Sequence, residues 1–203
     1  MHIAKFVRTN TTLCPGWCVS VLYIDDGDGP GQNLVEISKS LHSDVDSLDG
    51  VAITSLTTDP LGMDGIHKLI MSVKPPKLRC ILLTSAEDPE RLDDLVGAGY
   101  VDVVDIHIEE RMTPDQMRSL EIIRKLNYDF IVTVDMVPGT IGVDEITEIA
   151  EQSKGCQRFV MRPFDPMRNR DPSKAGIRPY KKKELESLMV AVKGAVRNPV
   201  IVI

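Results

Sequence analysis

Aromatic side chains are scarce: one Trp, four Tyr and four Phe make up 4% of the 203 residues. Any core must therefore be built from Val, Ile, Leu and Met. No apolar run approaches the roughly 18–20 residues that a membrane-spanning helix requires. Met1–Asn10 contains no apolar signal-peptide core, so the expectation is a cytoplasmic chain without membrane contact. The four cysteines, at 14, 18, 80 and 156, are too few and too scattered for a disulfide framework in that compartment. Histidine is equally sparse, at 2, 42, 67 and 107. No His-x-His or His-Glu-x-x-His spacing exists, and no metal site is expected. A phosphate-binding GxxxxGK[ST] and a GxSxG elbow are both absent.

What is present is ordinary globular composition, 42% hydrophobic and 27% charged, and one domain spanning 1–203 is expected. Charge is uneven. Residues 158–203 carry eleven Lys/Arg against four Asp/Glu, a net of +7, and the remainder of a chain at −6 is therefore at −13. An acidic body disfavours nucleic acid as a partner. The basic 161–183 segment reads as a solvated loop and helix start, or as a face for a small anionic ligand or a protein partner.

Short Val/Ile-rich runs recur at Cys18–Ile24, Val51–Ser55, Leu78–Thr84, Val101–His107, Phe130–Asp135, Arg158–Pro163 and Val200–Ile203. Most are continuous rather than alternating, as in parallel strands buried on both faces. Amphipathic segments separate them: Asn33–Leu41, Met63–Val73, Pro89–Val96, Pro114–Leu126, Asp144–Ile149 and Lys182–Val196. Asp88-Pro89 and Thr113-Pro114 are good helix starts. This α/β alternation leaves two architectures, an open doubly wound parallel sheet or a partial β/α barrel. A full eight-fold barrel typically needs about 250 residues. In both, function gathers at the C-terminal strand ends.

The residues at those ends carry a resemblance. Thr11–Ile24 (TTLCPGWCVSVLYI) looks like the opening strand of glycyl-radical activating enzymes, with its Tyr-Pro-Gly turn. Gly50–Leu61 (GVAITSLTTDPL) is similar to the strand ending in that family's Gly-Gly-Glu-Pro-Leu motif. Val101–His107 resembles the strand ending in Asp-x-Lys, Val137-Pro138-Gly139 the Val-Pro-Gly strand end, and Phe159–Pro166 the late strand near Pro-Phe/Tyr-His. The order holds over nearly the whole chain. The resemblance implies a partial (β/α)6 TIM-like barrel of the radical S-adenosylmethionine (SAM) superfamily. Within it the resemblance points to pyruvate formate-lyase activating enzymes and anaerobic ribonucleotide reductase activating proteins, and so implies a setting in anaerobic metabolism.

The departures are chemical. The family holds a 4Fe-4S cluster on Cys-x3-Cys-x2-Cys after the first strand, whereas here that loop reads DDGDGPGQN. Cys14 and Cys18 have the first spacing, but position 21 is Val, and both precede or open the strand. The family's cosubstrate, S-adenosylmethionine, would meet Thr57, Thr58, Asp59 and Pro60 in place of Gly-Gly-Glu-Pro. Thr57 and Thr58 add branched Cβ groups where the glycines had none. Asp59 reads either as the retained acid or as a turn cap before Pro60.

Asp105 and His107 fall on one side of a strand, as an acid–base pair or as a structural polar layer. Val137 and Gly139 join Arg162, Arg168 and Arg170 as candidate ligand contacts. Arg162, inside a strand end, should find a carboxylate, Asp105 or Asp59, because an unpaired buried charge is costly. Arg168 and Arg170 should be exposed. The expectation is a cluster-less relative acting as a binding, regulatory or accessory subunit. The alternatives are an enzyme using Asp59, Asp105, His107 and Arg162, an activase-type protein with a non-standard metal centre, or a chain that pools Cys14 and Cys18 with another protein around a metal.

Overall fold

A computed structural model describes residues 1–27, 29–55, 57–166 and 172–202. Eight strands form one sheet in chain order: β1 (His2–Asn10), β2 (Val19–Asp25), β3 (Gly50–Ser55), β4 (Arg79–Thr84), β5 (Val103–Ile108), β6 (Asp129–Met136), β7 (Arg158–Pro163) and β8 (Pro199–Ile201). From β2 to β8 every pairing is parallel. Five helices cross between them: α1 (Leu34–Ser43), α2 (Ile66–Val73), α3 (Pro89–Gly97), α4 (Pro114–Lys125) and α5 (Val143–Gln152). A sixth, α6 (Lys182–Val192), leads to β8. This is a partial β/α barrel with a mostly parallel sheet.

The helix starts form as their sequences dictate. The Asp88 side chain accepts from Arg91 N at 3.1 Å with Pro89 as the first helical residue. Thr113 and Gln116 form a reciprocal capping box at 3.2 and 2.9 Å, which satisfies two otherwise orphaned donors.

The expected all-parallel sheet needs one correction. His2–Asn10 is a strand, and it pairs antiparallel with β2. Its sequence, HIAKFVRTN, carries Lys5 and Arg8, and only Ile3 is fully buried. Register shifts between Ile3 and Lys5 and between Val7 and Asn10 break the alternation that would have marked it.

Two-residue periodicity divides the barrel interior into levels. Toward the N-terminal strand ends the filling is apolar: Val19, Val21, Ala52, Ile81, Val103, Ile131 and Val160, with Cys14, Leu13 and Trp17 from the β1–β2 connection packed with it. Gly16, at φ +81°, turns that connection under the barrel. Arg158 donates to Pro15 O. The guanidinium groups of Arg79 and Arg158 lie 5.6 and 5.1 Å from the Trp17 ring centre, so the base is closed by cation–π stacking. Further along the same strands the inward residues turn largely polar: Thr54, Asp105, Thr133 and Arg162 one step on, beside Tyr23 and Leu83, and His107 and Asp135 one step beyond that.

Candidate functional site

The polar level opens into a cavity of about 490 Å3 at the C-terminal strand ends. Its lining includes Thr57, Thr58, Asp59, Pro60, Asp105, His107 and Arg162, all singled out in the sequence, together with Leu13, Tyr23, Leu83, Ser85, Glu109 and Thr133.

At the rim, three side chains from three consecutive strands meet. Arg162 grips Asp135 through both Nε (2.6 Å to Oδ1) and Nη2 (3.1 Å to Oδ2). His107 Nε2 lies 2.9 Å from Asp135 Oδ2 and 2.8 Å from Arg162 Nη2. The same ring nitrogen thus faces an acceptor, the Asp135 carboxylate, and a donor, the Arg162 guanidinium, and which of the two it bonds depends on the tautomer; Nδ1 is the ring's other polar atom. Burial alone would raise the Asp135 pKa, but hydrogen bonds and charge from His107 and Arg162 outweigh it and hold the carboxyl well below the usual range. Burial acts to lower the Arg162 pKa. Asp135 more than offsets it, and the guanidinium is held above its ordinary value.

The expected partners of Arg162, Asp105 or Asp59, are therefore replaced by Asp135. The reason is register: Asp135 and Arg162 are direct partners on adjacent strands β6 and β7, whereas Asp105 lies one strand further away. Asp135 ends the inward series Ile131, Thr133, Asp135, and counting that strand by twos would have found it.

Asp59, although it lines the cavity, serves as the turn cap. Its Oδ1 accepts from Leu61 N at 2.8 Å and from the Thr84 hydroxyl at 2.6 Å, and its Oδ2 accepts from Ser85 N. It thereby caps the 3-10 turn Pro60–Gly62 and ties it to the end of β4. Thr57 and Thr58 donate to Asp25 (2.9 Å) and Asp26 (3.5 Å). The Gly27 amide, first, and Thr57 hold the Asp25 pKa below its ordinary value. Val137 and Gly139 do not line the cavity. Val137 O accepts from Thr140 N and Ile141 N, and Gly139 takes φ +84°, so both form the turn that leaves β6. Arg168 and Arg170 lie outside the described residues.

Asp105 is 2% exposed, at the cavity floor. Thr133 donates to its Oδ1 at 2.8 Å. Burial is the largest influence on it and pushes its pKa up, against the hydrogen bond from Thr133 and the charges of His107 and Arg162. Gln116 was not foreseen. Its Nε2 donates to Ser85 O (2.8 Å) and His107 O (3.2 Å) and so locks the ends of β4 and β5 together.

Cys18, Cys80 and Cys156 sit at the opposite end: Cys18 directly before β2, Cys80 second in β4 and Cys156 two residues before β7. Cys14 is buried in the β1–β2 connection, next to Leu13 of the cavity lining and near enough to Asp105 to feel its charge. Along β4, Cys80 is five residues from Ser85 at the mouth, roughly 16 Å. Burial raises the Cys14 thiol far above its usual value and pushes Cys80 up to about 12 and Cys156 up to about 11. The donor set at the mouth therefore does not fit a thiolate-bound 4Fe-4S cluster. Nor does Asp59, with both oxygens engaged, fit an acceptor for the S-adenosylmethionine ammonium. Among the described residues no group of three or more His, Cys, Asp or Glu is arranged to hold a metal ion, and no helix is long and apolar enough to cross a membrane.

The chain superposes on SuiB from Streptococcus suis with a TM-score of 0.64 at 12% identity, over 86% of this chain and 44% of that one. A radical SAM methyltransferase from Sphaerobacter thermophilus matches with a TM-score of 0.61 at 9% identity, over 84% of this chain and 56% of that one. The fold is that of the radical SAM enzymes. The resemblance read from the strand ends thus holds at the level of fold. The chain spans about half the length of these structures, and the radical SAM fold is what they share with it. No family model matches the sequence, and no curated protein matches it.

Proposed function

We infer that this chain is a ligand-binding module on a radical SAM fold, acting as an accessory or regulatory partner rather than as a cluster-bearing activase. The observation that carries the reading is the placement of the thiols. Cluster chemistry needs three thiolates beside the ligand, and here only Cys14 adjoins a cavity-lining residue, the other three cysteines lie at the N-terminal strand ends, and none falls between positions 19 and 79. The engaged state of Asp59 supports it, because the cosubstrate's acid serves the fold instead.

SuiB has been crystallised with S-adenosylmethionine and with its precursor peptide SuiA. By analogy, this chain pairs a small-molecule cavity with a protein partner. The partner side is the basic stretch ahead of and into α6, where Arg178, Lys181, Lys182 and Lys183 are all exposed. An acidic segment of another protein is the complementary surface.

One observation favours a second reading. His107 is oriented by Asp135 at the mouth of a cavity with an acid on its floor, an arrangement suited to proton transfer. In that reading Asp105, His107 and Arg162 act without Asp59.

The test is anaerobic reconstitution with iron and sulfide. We expect well under one cluster's worth of iron per chain and no reductive cleavage of S-adenosylmethionine. A stoichiometric cluster with cleavage activity overturns the inference.

A further inference from the structure

The charges around the cavity do not balance from within. Arg162 and His107 both turn to Asp135. Asp59 is satisfied by two backbone amides and a hydroxyl. Asp105, 98% buried on the cavity floor, has only the Thr133 hydroxyl on one of its oxygens, and no cation stands within ion-pair distance of it among the described residues. A buried carboxylate with no counter-charge is among the costlier arrangements a fold can hold. Either a proton or a cation from outside must relieve it. The rim adds Glu109 rather than a second unengaged base.

The geometry points to an organic ammonium as the ligand of this cavity, its charged head on Asp105 and its aliphatic stem along Leu13, Tyr23 and Leu83. An ammonium has three donors and no acceptor. The polar level supplies matching acceptors: the second Asp105 oxygen and the inward hydroxyls of Thr54 and Thr133. The apolar side chains of the lining, Leu83 beside Asp105 on the adjacent strand among them, have no use for a bare metal ion, and about 490 Å3 is the size of a small-molecule site rather than an ion site. Burial already strains the Asp105 charge, so its neutralisation by a ligand adds to affinity. The inference rests on the ligand-binding reading above and gives that reading a chemical class. It also replaces the small anion expected at Arg162, whose Nε and Nη2 are already on Asp135.

Three probes of equal length decide the matter: pentan-1-amine, pentan-1-ol and pentanoate, each titrated into the intact protein at pH 7 and followed by amide chemical shifts. The amine should bind at least tenfold more tightly than the alcohol, and pentanoate should not bind. Asp105→Asn keeps the size of the side chain and an acceptor for Thr133, and it should bring the amine's affinity down to that of the alcohol while circular dichroism is unchanged. Tighter binding of pentanoate than of the amine overturns the ammonium assignment and leaves the cavity reading standing. Binding of none of the three overturns both. Undiminished amine binding in a folded Asp105→Asn protein overturns the role of Asp105. The wild-type series is decisive by itself should the variant fail to fold.

Discussion

Replacing Asp135 by Ala removes the acceptor that unites the rim. Arg162 loses two charge-assisted hydrogen bonds and His107 loses one. Hydrogen bonds to charged groups contribute about 1.5–3 kcal/mol each when measured singly, and those sharing one acceptor do not add. Breaking a fully buried pair costs about 3–5 kcal/mol. Here the Arg162 side chain is 36% and that of Asp135 23% exposed, so water recovers part of the loss. The expected destabilisation is about 2–3 kcal/mol, seen in urea as a lower midpoint at unchanged slope and in heating as a drop of roughly 5–10 °C in Tm for a chain of this size. The pH dependence gives a second handle. The folded Asp135 pKa lies below the unfolded value, so its contribution is fully present above about pH 4–5. It is lost as pH falls below that toward the folded pKa. The gap between wild type and Asp135→Ala should therefore be constant from pH 7 to pH 5 and narrow at lower pH. A gap under about 0.5 kcal/mol at pH 7, small for even one such hydrogen bond, or one that does not narrow in acid, refutes the argument that the rim is held by this carboxylate.

Two further outcomes are expected. Of the four thiols, only half-buried Cys18 should react with iodoacetamide in the native protein at pH 8. Cys14, Cys80 and Cys156 are buried and their pKa values are raised, and peptide mass spectrometry after brief labelling checks the pattern. Thr113→Ala removes the capping box of α4 and should cost about 1 kcal/mol in a urea titration, with Thr113→Ser restoring most of it.

The parallel part of the fold was legible because its strands are buried on both faces. Val101–His107 and Phe130–Asp135 read as continuous apolar runs for that reason. β1 was not legible, since an edge strand with bulges keeps Lys5 and Arg8 in solvent and shows neither continuity nor alternation. For the site, Asp105 and His107 could be placed on one side of a strand by counting. The partner of Arg162 could not, because pairing across strands depends on register, which no single strand's pattern contains. Asp59 illustrates a different limit. A carboxylate before Pro is equally good chemistry for a ligand and for a cap, and only the positions of the Ser85 and Leu61 amides separate the two.

The cavity lining includes Leu13, a residue of the β1–β2 connection rather than of any βα unit. That connection has its own anchor: the Asn10 side chain accepts from Thr12 N at 2.9 Å and from Leu13 N at 2.7 Å. Part of the room a guest finds is therefore set by a short hairpin insert, while the strands govern which chemistry it meets. Shortening or exchanging residues 11–17 could lengthen the space available to an aliphatic chain without moving Asp105, His107 or Asp135, so capacity and selectivity in this barrel can be altered separately.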